Sequence, residues 1–415
     1  MKIIIAHYKY YIQGGPEKYL FKFKELAEQN GCEVIPFSIN CSLNKQTQYS
    51  RYFVGKKNSG DNYDSTNHNI EYLFSRAWHE FHNRSAYKKL KQLIKDTKPD
   101  LLYVLIPGQL STDIFKAAHE ENIPIIMRIS DFRLLCGNYM LLSKDTLCKK
   151  CTHGDYHFCV KHKCVKNSTA LSFLRATALQ YARRFNKYKW VDAVITPPSF
   201  TANLLVESGF FPKEKVYSIP TFVYPSYHEK NNSYSNYVLC LGRFSNEKGF
   251  LYALKAFAYL KDIPVRIVIN ETKNNCDKKI IDIIESLGIE SKVVFTGFVS
   301  GDSLTKIIAN CLCVLAPAIW YENMPNSVLE AFSFGKPVIA SNIGSLAEMV
   351  DDGTNGFLIE PKNDLQIAEA IRRLYNDKDY CRVLGMNALD KAKRIYSPSV
   401  HWKKFIDVYQ KISNK

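Results

Sequence analysis

The chain has 415 residues, of which 46% are hydrophobic and 23% charged. That is the balance of an ordinary globular protein; it excludes disorder and, at this length, predicts two domains of roughly 200 residues each rather than one core. The formal charge of +16 sets up a field that attracts polyanions such as nucleic acid or an anionic leaflet, while no apolar run approaches the roughly 20 residues that span a bilayer.

Met1-Lys-Ile-Ile-Ile-Ala is followed at once by His7-Tyr-Lys-Tyr rather than by the apolar segment of a signal peptide, so a cytoplasmic protein is expected. Strand signals at Lys2 to Ala6, Cys32 to Phe37, Leu101 to Ile106, Ile123 to Arg128 and Asp192 to Thr196 alternate with helical stretches, the first from about Pro16 to Gln29. Short apolar runs separated by helices indicate parallel strands with crossover connections, a doubly wound α/β domain over residues 1–221. Between Gln46 and Asp96 a polar loop (Gly55 to Asn69) and helical stretches rich in His, Arg and Lys carry nothing diagnostic.

Of the 12 cysteines, Cys32, Cys240, Cys311 and Cys313 lie in apolar strand-like runs, where a thiol acts as a small core residue. Five crowd into an insert at about 136–164, beginning with Cys136. Cys148, Cys151, Cys159 and Cys164 have the number and softness of ligands for a structural tetrahedral zinc; reduced thiols are the alternative. Around and behind them, Tyr156 to Val191 contains no acid, and Lys161, Lys163, Lys166, Arg175, Arg183, Arg184, Lys187 and Lys189 alternate with Phe173, Tyr181, Phe185 and Trp190. Such a mixture suits an anionic membrane surface, and a merely solvated basic face is the alternative.

Residues 222–235 are polar and rich in Asn and Ser, as an interdomain linker is. Strand candidates at Tyr237 to Leu241, Val265 to Asn270, Val293 to Thr296, Cys313 to Ala316, Pro337 to Ala340 and Gly356 to Ile359 predict a second Rossmann-like domain over 236–395. In 396–415, Trp402, Phe405, Ile406, Val408 and Tyr409 recur at helical spacing, predicting a packing helix that crosses back to the first domain.

The second domain offers what an anionic diphosphate requires: cations, helix N-termini and close backbone approach. After the strand Tyr237 to Leu241 comes Gly242-Arg243-Phe-Ser-Asn-Glu247-Lys248-Gly249, opening a helix from Phe250 to Leu260, with Arg243 and Lys248 able to reach one anion. After Cys313 to Ala316 comes Glu322-Asn-Met-Pro-Asn-Ser-Val-Leu-Glu330, where Pro325 starts a helix that runs to Phe334 and is closed by Gly335. Glu322 and Glu330 are acceptors for pairs of hydroxyls, and the amides of roughly Met324 to Ser327 are free to meet an anion.

These strings, with Gly14-Gly15-Pro-Glu17 in the first loop and the Gly297-Phe298-Val299 turn, resemble the donor-binding signatures of family 4 of the retaining GT-B glycosyltransferases (glycosyl transferases group 1), in a branch with a cysteine-bearing insert. The resemblance implies a GT-B fold of two Rossmann-like domains facing a central cleft, with a nucleotide diphosphate-sugar donor on the second domain and the acceptor on the first. It implies transfer with retention to a glycan, in cell-surface polysaccharide biosynthesis; the basic and aromatic run described above adds the expectation of a lipid-linked acceptor at the inner face of the membrane.

Arg243, Lys248 and Glu322 would be the catalytic residues. Donor binding would fall to Gly14, Gly15, Gly242, Arg243, Lys248, Phe298, Val299, Glu322, Asn323, Met324, Asn326, Ser327 and Glu330. Within that set the cations neutralise the diphosphate without a catalytic metal, Glu330 takes the ribose, Glu322 the donor sugar, and Phe298 and Val299 flank the base.

Relatives carry a His-Asp pair after the fourth strand; here Ser130 stands in the His position, leaving Asp131 and Arg133 as the acceptor-side candidates. A nucleotide-sugar epimerase of the same architecture is the competing enzyme, and a nucleic-acid partner is not expected because it would leave the donor motifs unexplained.

Overall fold

The computed structural model describes residues 1–55, 82–226, 233–273 and 278–414. Most of the polar loop expected from Gly55 to Asn69 lies outside them. The chain divides into two compact units: Met1–Leu141, Lys149–Ile219 and Trp402–Lys415 form the first, and Leu142–Cys148 with Pro220–His401 the second.

In the first unit, β1 (Lys2–His7), β2 (Glu33–Phe37), β3 (Leu101–Ile106) and β4 (Ile125–Arg128) precede a short hairpin, β5 (Leu142–Ser143) and β6 (Thr146–Leu147), that groups with the second unit. β7 (Ala193–Thr196) and β8 (Val216–Ser218) complete a parallel sheet ordered β2-β1-β3-β4-β7-β8. β4 starts two residues later than expected because Pro124 lacks the N–H a ladder needs and contributes only its carbonyl, to Leu102 N. β8, only half-buried and three residues long, leaves no periodic signal and was not anticipated.

The helix Gly15–Gln29 places Pro16 in its first turn, where no N–H is required, and buries Tyr19, Leu20, Phe23, Leu26 and Ala27. Phe405, on the helix Pro398–Ser413, is fully buried, its ring 4.8 Å from that of Phe23 and 5.0 Å from that of Tyr103.

The second unit contains β9 (Tyr237–Cys240), β10 (Arg266–Ile269), β11 (Val293–Phe295), β12 (Cys313–Ala316), β13 (Val338–Ser341) and β14 (Gly356–Ile359), all parallel in the order β11-β10-β9-β12-β13-β14. Val238, Cys240, Ile267, Ile269 and Leu315 enter one core cluster, Leu239, Val268, Val314 and Val338 the other. That strict alternation is why these strands read as continuous apolar runs: both faces are covered by helices. The helix expected to reach Leu260 ends at Ala256, and its continuation tightens into a 3₁₀ turn in which Leu260 N bonds to Phe257 O.

The described residues of the 222–235 stretch lie along the second unit, with Val223 N bonded to Tyr396 O and Ser226 N to Ser333 O. Among the described residues no helix is long and apolar enough to cross a membrane.

Candidate functional site

In an open parallel sheet the ligand crevice forms at the carboxyl ends of the two strands where the strand order reverses. In the second unit those strands are β9 and β12, and the loops leaving them carry the residues singled out from the sequence. Gly242 and Gly249 both take positive φ, +118° and +70°, which a side chain would resist. A Cβ at Gly249 would sit 1.8 Å from the Pro317 carbonyl oxygen, so only glycine lets the loop after β9 press against the loop after β12. Ile319 N donates to Glu247 O across the same seam.

That packing brings Lys248 and Glu322 together. Lys248 Nζ lies 2.5 Å from Glu322 Oε1, and the Trp320 indole N–H donates to the same oxygen at 3.0 Å. Glu322 is only 7% exposed, and its backbone carbonyl accepts from Ser345 Oγ at 2.8 Å. Arg243 stands apart: its side chain is 81% exposed, and among the described residues its guanidinium reaches only Glu247, at 3.8 Å.

The helix Asn326–Ser333 begins after Pro325, no side chain caps its N-terminus, and Glu330 lies just beyond its first turn. The amides of its first residues can therefore meet an anion. Asn323, Asn326, Ser327 and Glu330 are half-buried around it. Met324 faces elsewhere, its sulfur accepting from Thr221 N.

After β11, Gly297 takes φ +72° and Phe298 is 78% exposed. Val299 is held at both ends of its peptide units: its N–H donates to Asn270 Oδ1 at 2.9 Å and its carbonyl accepts from Asn270 Nδ2 at 3.2 Å. Its own polar backbone is therefore used within the fold, and Phe298 is the member of the turn that presents a free face.

In the first unit the strand order reverses between β1 and β3. His7, at the end of β1, is buried, and burial pushes its pKa down to about 3. It is neutral at physiological pH: Nδ1 accepts from Lys9 N at 3.0 Å, and Nε2 points at Glu17 Oε1, 3.7 Å away. Glu17 Oε2 accepts from Gly14 N at 2.8 Å. Gly14 is extended, φ −154°, so its conformation is one any residue adopts, and Gly15 is the first helical residue.

Asp131 and Arg133 form a two-point pair with each other (Nε to Oδ1, 2.8 Å; Nη2 to Oδ2, 2.5 Å), and Arg133 O accepts from Arg175. Burial alone would raise the Asp131 carboxyl, but the guanidinium beside it prevails and holds it below the usual carboxylate range.

The cysteines of the expected zinc set fall in two segments. Cys148 belongs to the segment grouped with the second unit, whereas Cys151, Cys159 and Cys164 pack together with Tyr156 and Leu179 in the first. The Cys164 thiol beside Cys159 lowers the latter's pKa against burial, and Cys151 and Cys136 are its further thiol neighbours. Among the described residues no group of three or more His, Cys, Asp or Glu side chains is placed to hold a metal ion.

Three residues at the second site were not anticipated. Trp320 sits two positions before Glu322, where its ring reads as core. Asn270 ends an apolar strand, and a polar side chain at a strand's carboxyl end was a signal that could have been followed. Ser345 carries no sequence signal.

Residues 225–391 match the family model described as glycosyl transferases group 1, a span that includes every residue of the second site. An uncharacterized glycosyltransferase of Methanocaldococcus jannaschii is 30% identical over 173 residues, 42% of this chain and 44% of the relative. The alpha-D-kanosaminyltransferase of Streptomyces kanamyceticus is 26% identical over 180 residues, 42% and 45% of the two chains. The lipopolysaccharide 1,2-N-acetylglucosaminetransferase of Salmonella typhimurium is 27% identical over 177 residues, 40% and 45%. The matches thus span just under half the length of these relatives.

Among solved structures, a glycosyltransferase from Rickettsia africae superposes with a TM-score of 0.70 at 16% identity, covering 99% of this chain and 98% of the other. Anabaena Alr3699/HepE in complex with UDP-glucose gives 0.62 at 17% identity, covering 99% and 100%. At such identities the likeness concerns the fold: two Rossmann-like parallel-sheet domains, as in the GT-B glycosyltransferases.

Proposed function

We propose that this chain is a retaining glycosyltransferase that takes a sugar from a nucleotide diphosphate-sugar and passes it to a glycan acceptor. The observation that carries the reading is the Lys248–Glu322 pair at the β9/β12 crevice, inside the span that matches the group 1 family. The HepE complex with UDP-glucose and the lipopolysaccharide sugar transferase among the relatives support a nucleotide-sugar donor and a glycan acceptor. The acceptor is lipid-linked and met at an anionic membrane face, a reading supported by the basic and aromatic run from Lys161 to Trp190.

On donor binding, Lys248 exchanges Glu322 for the diphosphate, and Arg243 folds in from solvent beside it. Glu322 turns to hydroxyls of the transferred sugar and Glu330 to the ribose, while the first amides of the helix Asn326–Ser333 face the phosphates. The anomeric C–O bond to the diphosphate breaks with its electron pair passing to the phosphate oxygen. The acceptor hydroxyl oxygen bonds to the same face of the anomeric carbon, and its proton passes to the departing phosphate. Stabilising that leaving charge is the main catalytic task, and it falls to Lys248, Arg243 and the helix amides.

The test is a panel of UDP, GDP and TDP with UDP-glucose, UDP-galactose, UDP-N-acetylglucosamine, GDP-mannose and TDP-glucose, scored by thermal stabilisation and then by sugar transfer. Lys248→Ala and Arg243→Ala are each expected to lower turnover by at least about 100-fold with the fold retained. Near-normal turnover in either variant would overturn that residue's role, and a wild-type protein indifferent to the whole panel would overturn the reading itself. Sedimentation with anionic liposomes at low salt tests the membrane surface; no binding there removes it.

A further inference from the structure

Glu322 receives two donors on one oxygen. Lys248 Nζ and the Trp320 indole N–H both reach Oε1, at 2.5 and 3.0 Å, and Oε2 takes no protein donor among the described residues. The two donors differ in kind. Lys248 ends a flexible four-carbon stem and carries the charge that a diphosphate would attract away; Trp320 Nε1 is fixed to a rigid ring and has no other hydrogen-bonding atom. The same ring stands 5.7 Å from Lys248 Nζ at its centroid, within cation–π range. Trp320 therefore touches both members of the pair, on the loop from β12 whose position Gly249 and Pro317 set.

We infer that Trp320 is the positioning residue for donor-sugar recognition: when Lys248 leaves Glu322 for the diphosphate, the indole N–H alone keeps the carboxylate oriented, with Oε2 presented to the sugar hydroxyls. The inference rests on the donor reading above and assigns Trp320 no contact with the reacting atoms. It separates two parts of the ligand. The nucleoside diphosphate is held by Lys248, Arg243, Glu330 and the helix amides, none of which uses the Trp320 N–H, whereas the added affinity due to the sugar depends on Glu322 and through it on that N–H.

The experiment compares wild-type protein with Trp320→Phe, which keeps the ring and removes the N–H. From the panel above, the nucleoside diphosphate that binds best and its best sugar conjugate are titrated by calorimetry, and kcat and KM are measured with the same conjugate. The nucleoside diphosphate affinity should stay within about 2-fold, which also reports that the variant is folded, while kcat/KM with the sugar donor falls roughly 10-fold, the weight of one hydrogen bond to a charged group. An unchanged kcat/KM overturns the proposal, as does an equal loss of affinity for nucleoside diphosphate and conjugate, since that marks a structural role. If wild-type protein binds no member of the panel, the donor reading falls and this inference with it, an outcome distinct from the other two.

Discussion

Each unit buries a glutamate where its strand order reverses, Glu17 in the first and Glu322 in the second, and the two differ in what their oxygens hold. Glu17 grips the backbone N–H of Gly14 and faces a neutral His7; a main-chain donor cannot be exchanged without unwinding the loop. Glu322 grips the end of a lysine side chain and an indole, and the lysine can swing away. Both carboxylates are buried, and under the proposed function the mobility of its partner is what sets Glu322 apart from Glu17.

Paired substitutions break or sharpen that contrast. Glu322→Ala is expected to lower kcat/KM with a nucleotide-sugar by about 100-fold, with little change in melting temperature. Glu17→Ala should do the reverse: it removes the acceptor of the half-buried Gly14 N–H, destabilising by roughly 0.5–1.5 kcal/mol, and changes kcat/KM far less. Denaturation curves and steady-state rates on both variants decide it, and similar profiles for the two would end the distinction.

A smaller effect is expected from Asn270→Ala, which frees both polar groups of Val299. Nucleoside diphosphate affinity should drop about 10-fold if the turn positions Phe298 beneath the base, a stacking contact of roughly 1–3 kcal/mol. Titration of the variant that returned wild-type affinity would place the base elsewhere.

The first unit also supplies an effect of pH. The folded pKa of His7 lies near 3 against 6.5 for the free side chain, so as pH falls the unfolded chain takes up the proton first. The stability His7 contributes is complete above about 6.5 and is lost between there and about 3, on the order of 2–3 kcal/mol of it by pH 4.5. His7→Gln should flatten that part of the stability profile measured by urea unfolding, and parallel profiles would mean that His7 titrates alike in the folded and unfolded chain.

The alternation of strand and helix was legible because both sheets are parallel and covered on both faces, so their strands stand out as apolar runs. Lys248 and Glu322, which the fold brings together, stood out in the sequence because charged residues at fixed offsets from a strand end have few structural uses. What stayed hidden depended on contacts between loops distant in sequence. Nothing in the string around Gly249 says that its absent Cβ makes room for the Pro317 carbonyl, nor that Trp320 and Lys248 meet on one oxygen. The cysteine spacing likewise gave no sign that Cys136 lies near Cys159.

Phe405 on the helix Pro398–Ser413 closes the core over Phe23 and Tyr103, and this sets an order of assembly. A ribosome releases Phe23 and Tyr103 well before Phe405, and at about 5–20 residues per second the interval is on the order of tens of seconds. Most of the second unit, Pro220–His401, emerges complete within that interval. The unit whose synthesis begins first is therefore the last to finish its core, and until then two aromatic rings wait uncovered for a chaperone or for the helix that fits them.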